Sequence, residues 1–295
     1  TDMGGSVRIP ASHCGLVGLK PSLGRIPMDF LPSVFDNISH FGPLARTVDD
    51  AALFLAAAQG PSDADIQSIV PGLRMPKRIP ASIKGLRLAL DIDLGMIDVD
   101  PEVEGLVRAA AKALEARGAI VEEIDLGWTP EVREAWYVIW QVFMAAYFGH
   151  HLKAWRERMD PNVVALMDAG FKVTAVDYKR TEVVRTEQWR KLARVFERYD
   201  ALLCPTMARP APEVGKSDAD FGHLNAAGKI VALDMTEMFN NVPQCPVLSV
   251  PAGFTHGGLP VGMQIVCRRF DDLGVLRIGR ALEKTRPWAH RRPPV

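Results

Sequence analysis

The 295-residue sequence is 48% hydrophobic and carries 35 basic and 35 acidic side chains. This composition supplies a packed core and excludes a disordered chain, and the balanced charge argues against a nucleic-acid or membrane-surface protein. No apolar stretch is long enough to span a bilayer. Four widely spaced cysteines without a CxxC pair indicate buried, reduced thiols in a cytoplasmic protein rather than disulfides or a zinc site.

The first part of the chain combines a loop-rich segment with a helix. Residues 1–45 are rich in glycine and proline, which predicts loops and short strands. Thr47 is placed to cap a helix that Gly60 terminates. Because the interior of this helix is apolar nearly all round, we expect it to be deeply packed.

Residues 85–126 have the pattern of a β-α-β unit. An alternating strand at 86–90 precedes a helix that Asp100 caps and Gly118 ends, and a second strand follows at 119–124. A crossover helix between two strands implies that the strands are parallel.

The remaining chain alternates between helices and strands. Residues 130–200 are predicted to be mostly helical and contain most of the aromatic side chains. The later predicted elements are strands at 201–204, 247–250 and 261–266 and helices at 228–240 and from 271 to about 284. Strands that alternate with helices predict an α/β fold.

The segment Gly4-Gly5-Ser6 is the first candidate for chemistry. Glycines let the backbone turn tightly and bring several N–H groups toward one point. Such donors suit an oxyanion site beside a serine nucleophile, because they must face the place where negative charge develops. A flexible turn is the alternative interpretation of these three residues taken alone.

The wider sequence decides between these interpretations. Five segments, in order along the chain, carry distinctive motifs: Thr1-Asp2-Met3-Gly4-Gly5-Ser6 with its continuation to Arg25, Gly42-Pro43-Leu44-Ala45-Arg46-Thr47-Val48, Asp200-Ala201-Leu202-Leu203-Cys204-Pro205-Thr206, Asn241 to Gly253, and Gly258-Leu259-Pro260-Val261-Gly262-Met263-Gln264. Together they closely resemble the amidase signature family of serine amidohydrolases. The resemblance spans the whole chain. Cys267 departs from the glycine that is usual before Arg268, which affects only local packing.

The resemblance implies a large mixed β-sheet flanked by helices on both faces and a Ser–cis-Ser–Lys triad that needs no cofactor. It places the nucleophile at Ser6 and the oxyanion hole at the backbone N–H groups of Met3, Gly4, Gly5 and Ser6. Asp2 and Arg8 fall on a charged pair that supports the loop. The apolar neighbours of Arg8 favour a buried pair over a surface salt bridge.

The base of the implied triad has no match in this sequence. The lysine and the cis-serine of the family lie upstream of the signature segment, and Lys20, Lys77 and Lys84 do not fit the motif of that lysine. We therefore expect 1–295 to be the C-terminal portion of a single amidase domain that needs its upstream part to hydrolyse amides. A homodimer is a possible assembly.

Other candidate sites carry weaker signals. His150 and His151 are adjacent and project about 100° apart on a helix, so they do not form an i, i+4 metal pair. The aromatic residues at 136–155 are either core or part of a mostly helical, variable substrate-side region at about 128–198. Three further residues are candidates for substrate contact: Asp234, Phe239 and Asn241. An exposed helical carboxylate is the alternative interpretation of Asp234.

Four functions remain open at this point. The first is an amidase that hydrolyses a carboxamide through an acyl-enzyme on Ser6. The second is an ammonia donor that resembles the glutaminase component of glutamyl-tRNA amidotransferase, although 178–186 lacks the Lys-Arg-Arg-x-x-x-Gly run of that component. The third is an N-terminal-nucleophile hydrolase that uses Thr1. The fourth is a non-catalytic scaffold.

Overall fold

A computed structural model describes residues 1–216 and 220–291. The chain forms two compact units, one made of Thr1–Gly127 with the chain from Leu192 onward and the other of Trp128–Lys191. None of the helices in the described residues is long and apolar enough to cross a membrane.

The first unit is built on one mixed sheet, which has seven strands within the described residues. The strands are β1 (Val17–Lys20), β2 (Leu44–Ala45), β3 (Arg87–Leu90), β4 (Ile120–Glu123), β5 (Ala201–Pro205), β6 (Val247–Phe254) and β7 (Pro260–Cys267). Their order across the sheet is β2-β1-β6-β7-β5-β3-β4. Among these seven strands of the described residues, only the pairs β3–β4 and β3–β5 are parallel. The α/β class and the mixed sheet expected from the sequence are confirmed.

The α-helices of the described residues that lie wholly in this unit are α1 (Arg8–Cys14), α2 (Val48–Ala58), α3 (Pro101–Glu115) and α8 (Asp272–Thr285). The β3-α3-β4 unit is confirmed, with the Asp100 carboxylate accepting the N–H of Glu102 at the start of α3. The start of α2 is confirmed as well, because Thr47 accepts the N–H of Asp50. Helix α1, which has seven residues and ends where Gly15 adopts a left-handed conformation, lies in a segment predicted to form loops and short strands.

The packing of α2 differs from the expectation. Val48, Ala51 and Leu55 are buried in the main core, but Leu53 and Phe54 on the opposite face are 70% and 47% exposed. An apolar sequence predicts burial, yet one helix face can contact the sheet layer while the other points away from it. The prediction of deep packing therefore holds for one face only.

The segment 228–240 is not the predicted helix. Ile230 forms bridges with Ile97 and Leu224, Asp234 forms a bridge with Met207, and only Glu237–Asn240 makes a short 3-10 turn. Hydrogen bonds to distant backbone groups have replaced the local bonds of a helix, which illustrates how tertiary contacts override propensity.

The second unit is helical, as predicted for this part of the chain. It contains α4 (Glu131–Phe148), α5 (Leu152–Trp155), α6 (Pro161–Gly170) and the first part of α7 (Ala175–Arg198). Gly170 packs so closely on α4 that an added Cβ would lie 2.1 Å from the carbonyl oxygen of Gln141. The close approach of α6 to α4 therefore requires glycine at this position.

Candidate active site

The signature loop, defined here as residues 2–7, lies between a bridge to His40 and the start of α1. Asp2 and His40 exchange two backbone hydrogen bonds of 2.8 and 3.0 Å. Ser6 is exposed, whereas Asp2, Gly5 and Val7 are buried. The loop thus presents the predicted nucleophile to solvent from an anchored backbone.

Arg8 anchors the loop through a fully buried ion pair. Its Nε and Nη2 donate to the two carboxylate oxygens of Asp2 at 3.0 and 2.9 Å, and both side chains are 0% exposed. Burial alone would raise the pKa of Asp2, but the charge and hydrogen bonds of Arg8 hold that pKa well below its usual range. The expected buried arrangement of Asp2 and Arg8 is what the structure shows.

The remaining donors of Arg8 reach two side chains that the sequence analysis did not single out. Nη1 donates to Gln264 Oε1 and to the backbone oxygen of Thr236, both at 2.8 Å, and Nη2 donates to Asn240 Oδ1 at 2.6 Å. Gln264 then donates from Nε2 to the backbone oxygens of Pro205 and Met235. Two of the sequence motifs, the signature segment and the segment that ends at Gln264, therefore meet at one guanidinium group together with Thr236 and Asn240, a convergence that residue spacing along the chain does not reveal.

The Asp2 carboxylate also orders the backbone of the loop. Its Oδ1 accepts the N–H of Gly5 at 2.9 Å and its Oδ2 accepts the N–H of Val7 at 3.4 Å. Within the described residues, the N–H groups of Gly4 and Ser6 have no hydrogen-bond acceptor. The resemblance placed Met3, Gly4, Gly5 and Ser6 at the oxyanion hole. The N–H of Gly5 is occupied by Asp2 in this structure, whereas those of Gly4 and Ser6 are available among the described residues.

The bridge partner His40 lies next to a buried amine, that of Lys20. Lys20 Nζ donates to the carbonyl oxygen of Cys245 at 2.9 Å and lies 3.5 Å from His40 Nε2. Burial, and then the positive charge of Arg8, lower the pKa of Lys20 to about 7. Burial and the charge of Lys20 lower the pKa of His40 to about 3. This pair carries little positive charge at alkaline pH.

The three candidate substrate residues occupy different environments. Asp234 is half-buried and lies on no helix, and its Oδ2 is 3.0 Å from Thr236 Oγ1. Phe239 and Asn241 are 0% and 2% exposed. Of the three, only Asp234 presents surface to a ligand in this structure, so the exposed-helix interpretation of Asp234 does not apply.

The other sequence candidates do not form a second site. Trp136 and Trp140 stack with ring centroids 4.9 Å apart on α4, the first buried and the second half-buried. The rings of His150 and His151 lie 3.9 Å apart instead of diverging as expected. Among residues 1–216 and 220–291, no three His, Cys, Asp or Glu side chains are grouped to hold a metal ion.

The cysteines only partly match the expectation. All four are free thiols, and Cys204, Cys245 and Cys267 are buried. Burial raises the pKa of the Cys245 thiol to about 12. Cys14, on the last turn of α1, is exposed, so the prediction of burial is wrong for this residue.

The chain is similar to known amidases and amidotransferase subunits. The family profile named Amidase matches residues 1–276. An acylamidase of Rhodococcus erythropolis is 35% identical over 99% of this chain and 62% of its own length. A glutamyl-tRNA(Gln) amidotransferase subunit of Myxococcus xanthus is 32% identical over 100% of this chain and 65% of its own length.

The fold is also similar to that of a solved amidase structure. A bacterial aryl acylamidase of the amidase signature family is 29% identical and superposes with a TM-score of 0.86, covering 99% of this chain and 64% of that chain. The chain thus spans a little under two thirds of the length of these relatives. On the matched profile, the shared fold and the buried network under the signature loop, the chain belongs to the amidase signature family.

Proposed function

We propose that this chain provides the nucleophile and the oxyanion site of an amidase that hydrolyses carboxamides through an acyl-enzyme on Ser6. The observation that carries the proposal is the signature loop: an exposed serine adjoins two backbone N–H groups, of Gly4 and Ser6, that no described residue occupies. Unpaired donors in an ordered loop suit the stabilisation of a developing negative charge. Acylamidase and amidase relatives support the same class of reaction.

The proposed reaction proceeds in two steps. Ser6 Oγ attacks the amide carbonyl while a base removes the hydroxyl proton, and the carbonyl oxygen becomes an oxyanion beside the N–H groups of Gly4 and Ser6. Collapse of this intermediate breaks the C–N bond, and the leaving nitrogen takes a proton as ammonia or an amine departs. Water then attacks the ester on Ser6, which releases the carboxylic acid and restores the hydroxyl.

We assign the base to residues outside this chain, because no lysine here fits the family motif. Lys20 is the one buried lysine of the described residues, and its amine is directed to carbonyl oxygens of Pro243 and Cys245. These hydrogen bonds connect β1, which carries Lys20, to the segment at Pro243 and Cys245. We also propose that residues 128–198 form the substrate-side region and that Asp234 contacts the substrate.

The second candidate is an ammonia donor that works inside a complex, which the similarity to the amidotransferase relative supports. Both candidates use the same Ser6 chemistry. They differ in the assay: a stand-alone amidase releases product from simple amides or acyl anilides, whereas the ammonia donor consumes glutamine with the other proteins of its complex present.

The test is covalent labelling of Ser6 in the full gene product. A fluorophosphonate probe is expected to modify the peptide that contains Ser6, and Ser6→Ala is expected to abolish labelling and to lower kcat by several orders of magnitude while substrate still binds. Peptide mass spectrometry locates the modified residue.

Two controls make the labelling test decisive. Ser12→Ala removes a buried hydroxyl on the neighbouring helix α1, which bonds to the N–H of Gly262, and should leave the labelled position unchanged. Label on Thr1 would support the N-terminal-nucleophile alternative. Near-normal turnover by Ser6→Ala would remove Ser6 from the mechanism.

A further inference from the structure

Thr236 contacts the signature loop from a distant part of the sequence. Its side chain is wholly buried, and its Oγ1 donates to the carbonyl oxygen of Gly4 at 2.6 Å. Its backbone oxygen accepts from Arg8 Nη1 at 2.8 Å. One residue thus contacts both the loop and the arginine that anchors the loop.

The hydroxyl of Thr236 has a single hydrogen and two oxygen neighbours. Gly4 O lies at 2.6 Å and Asp234 Oδ2 at 3.0 Å. A carbonyl oxygen can only accept, so an approach of 2.6 Å to it requires the hydrogen to lie between the two atoms. The hydroxyl of Thr236 therefore donates its hydrogen bond to the carbonyl oxygen of Gly4.

The absence of a side chain at Gly5 leaves room for Thr236. A Cβ added at Gly5 would lie 2.0 Å from Thr236 Oγ1, and the backbone at Gly5 has a φ of +126°, which side chains rarely adopt. Glycine at this position is what lets Thr236 approach the loop so closely.

The two contacts of this region act on one peptide plane. The carbonyl of Gly4 and the N–H of Gly5 belong to the same planar group. Thr236 binds the carbonyl end and the Asp2 carboxylate binds the N–H end. Both ends of the plane are therefore held. The N–H groups of Gly4 and Ser6, which no described residue accepts, lie on the peptide groups that flank it.

We propose that Thr236 is a positioning residue for catalysis: its hydroxyl fixes the Gly4–Gly5 peptide, and thereby the aim of the N–H donors of Gly4 and Ser6. This inference rests on the proposed amidase function. It predicts an effect on the chemical step more than on substrate binding, since these donors act on charge that develops only in the transition state.

The experiment compares Thr236→Val, Thr236→Ser and Thr206→Val in the full gene product. Thr236→Val keeps the shape and removes the hydroxyl, so we expect kcat on an acyl anilide and the rate of fluorophosphonate labelling of Ser6 to fall about tenfold, with KM changed by less than about threefold. Thr236→Ser restores the hydroxyl and is expected to stay within about threefold of the parent. Thr206→Val is the matched control, because it removes a buried threonine hydroxyl that bonds to Ser249, outside the loop.

Hydrogen exchange provides a readout that does not depend on turnover. We expect Thr236→Val to speed amide exchange in the peptide that covers the signature loop by about tenfold, and Thr206→Val to leave exchange there unchanged. Parent-like kcat and exchange in Thr236→Val would overturn the inference, as would equal losses in the valine and serine variants. If the parent itself is not labelled at Ser6, the proposed function fails, and the exchange measurement still decides whether Thr236 holds the loop.

Discussion

Two arginines in this molecule bind carboxylates in the same two-pronged way in opposite surroundings. Arg8 pairs with Asp2 through contacts of 3.0 and 2.9 Å, both side chains being 0% exposed. Arg108, on α3, pairs with Glu123 through two contacts of 2.7 Å, with the side chains 39% and 57% exposed. The exposed pair is the shorter one, yet we expect it to contribute far less to stability.

The difference lies in what each pair would leave behind if it were broken. Water can solvate Glu123 after the loss of Arg108, so the free-energy cost is small. Without Arg8, the carboxylate of Asp2 would be buried without a counter-charge, and Gln264 and Asn240 would lose a donor as well. Contact distance alone is therefore a poor guide to the importance of an ion pair.

The largest expected effect comes from breaking the buried pair. Arg8→Met should lower the free energy of unfolding by about 3–5 kcal/mol, because it leaves a buried, unpaired charge. It should also reduce labelling of Ser6 by at least about a hundredfold, since the Asp2 carboxylate that orders the loop loses its anchor. Urea unfolding and the labelling rate measure the two effects. A loss of stability below about 1 kcal/mol would show that the network does not depend on Arg8.

A second prediction uses Lys20, a buried amine without a salt-bridge partner among the described residues. Its pKa is about 7 in the folded chain, against about 10.4 when unfolded, so between these values the unfolded chain binds a proton that the folded chain does not. Stability from this group therefore rises with pH, by about 2 kcal/mol between pH 7 and pH 9. Lys20→Met should remove that rise in urea unfolding.

The control for this titration is Lys77→Met, which changes an exposed lysine. It should keep the increase in stability from pH 7 to pH 9. Equal pH profiles for the parent and Lys20→Met would contradict the assignment of the rise to Lys20.

The smallest expected effect comes from the exposed pair. Arg108→Met should cost less than about 1 kcal/mol of unfolding free energy, and the cost should shrink further in 1 M salt, because exposed charges are screened. Labelling of Ser6 should stay at the parental rate. A loss close to that of Arg8→Met would show that exposure does not separate the two pairs.

The sequence was informative where interactions are local or where family motifs apply. Thr47 and Asp100 were correctly predicted as helix caps, because a cap depends on a few adjacent residues. The buried pairing of Asp2 with Arg8 followed from the motif and from the apolar neighbours of Arg8. The roles assigned to Ser6 and its glycines rest on the same motif and stay predictions.

The sequence was uninformative where distant segments meet. Nothing near Gln264 or Asn240 indicates that both bind Arg8, because the contacts join residues 256 and 232 positions apart. The extended course of 228–240 likewise depends on backbone partners such as Met96 and Thr206. The exposed face of α2 was missed because an apolar residue pattern does not show which face has a neighbour.

The hydrogen bonds that join Arg8 to residues far along the sequence have a consequence for folding during synthesis. The guanidinium cannot complete its hydrogen bonds until Gln264 on β7 has been synthesised, long after Ser6 has emerged. Contacts between such distant residues form late, since a long loop must close first. A nascent chain would thus carry Ser6 on a loop whose anchoring network is incomplete, and that network would be complete only once β7 has been synthesised.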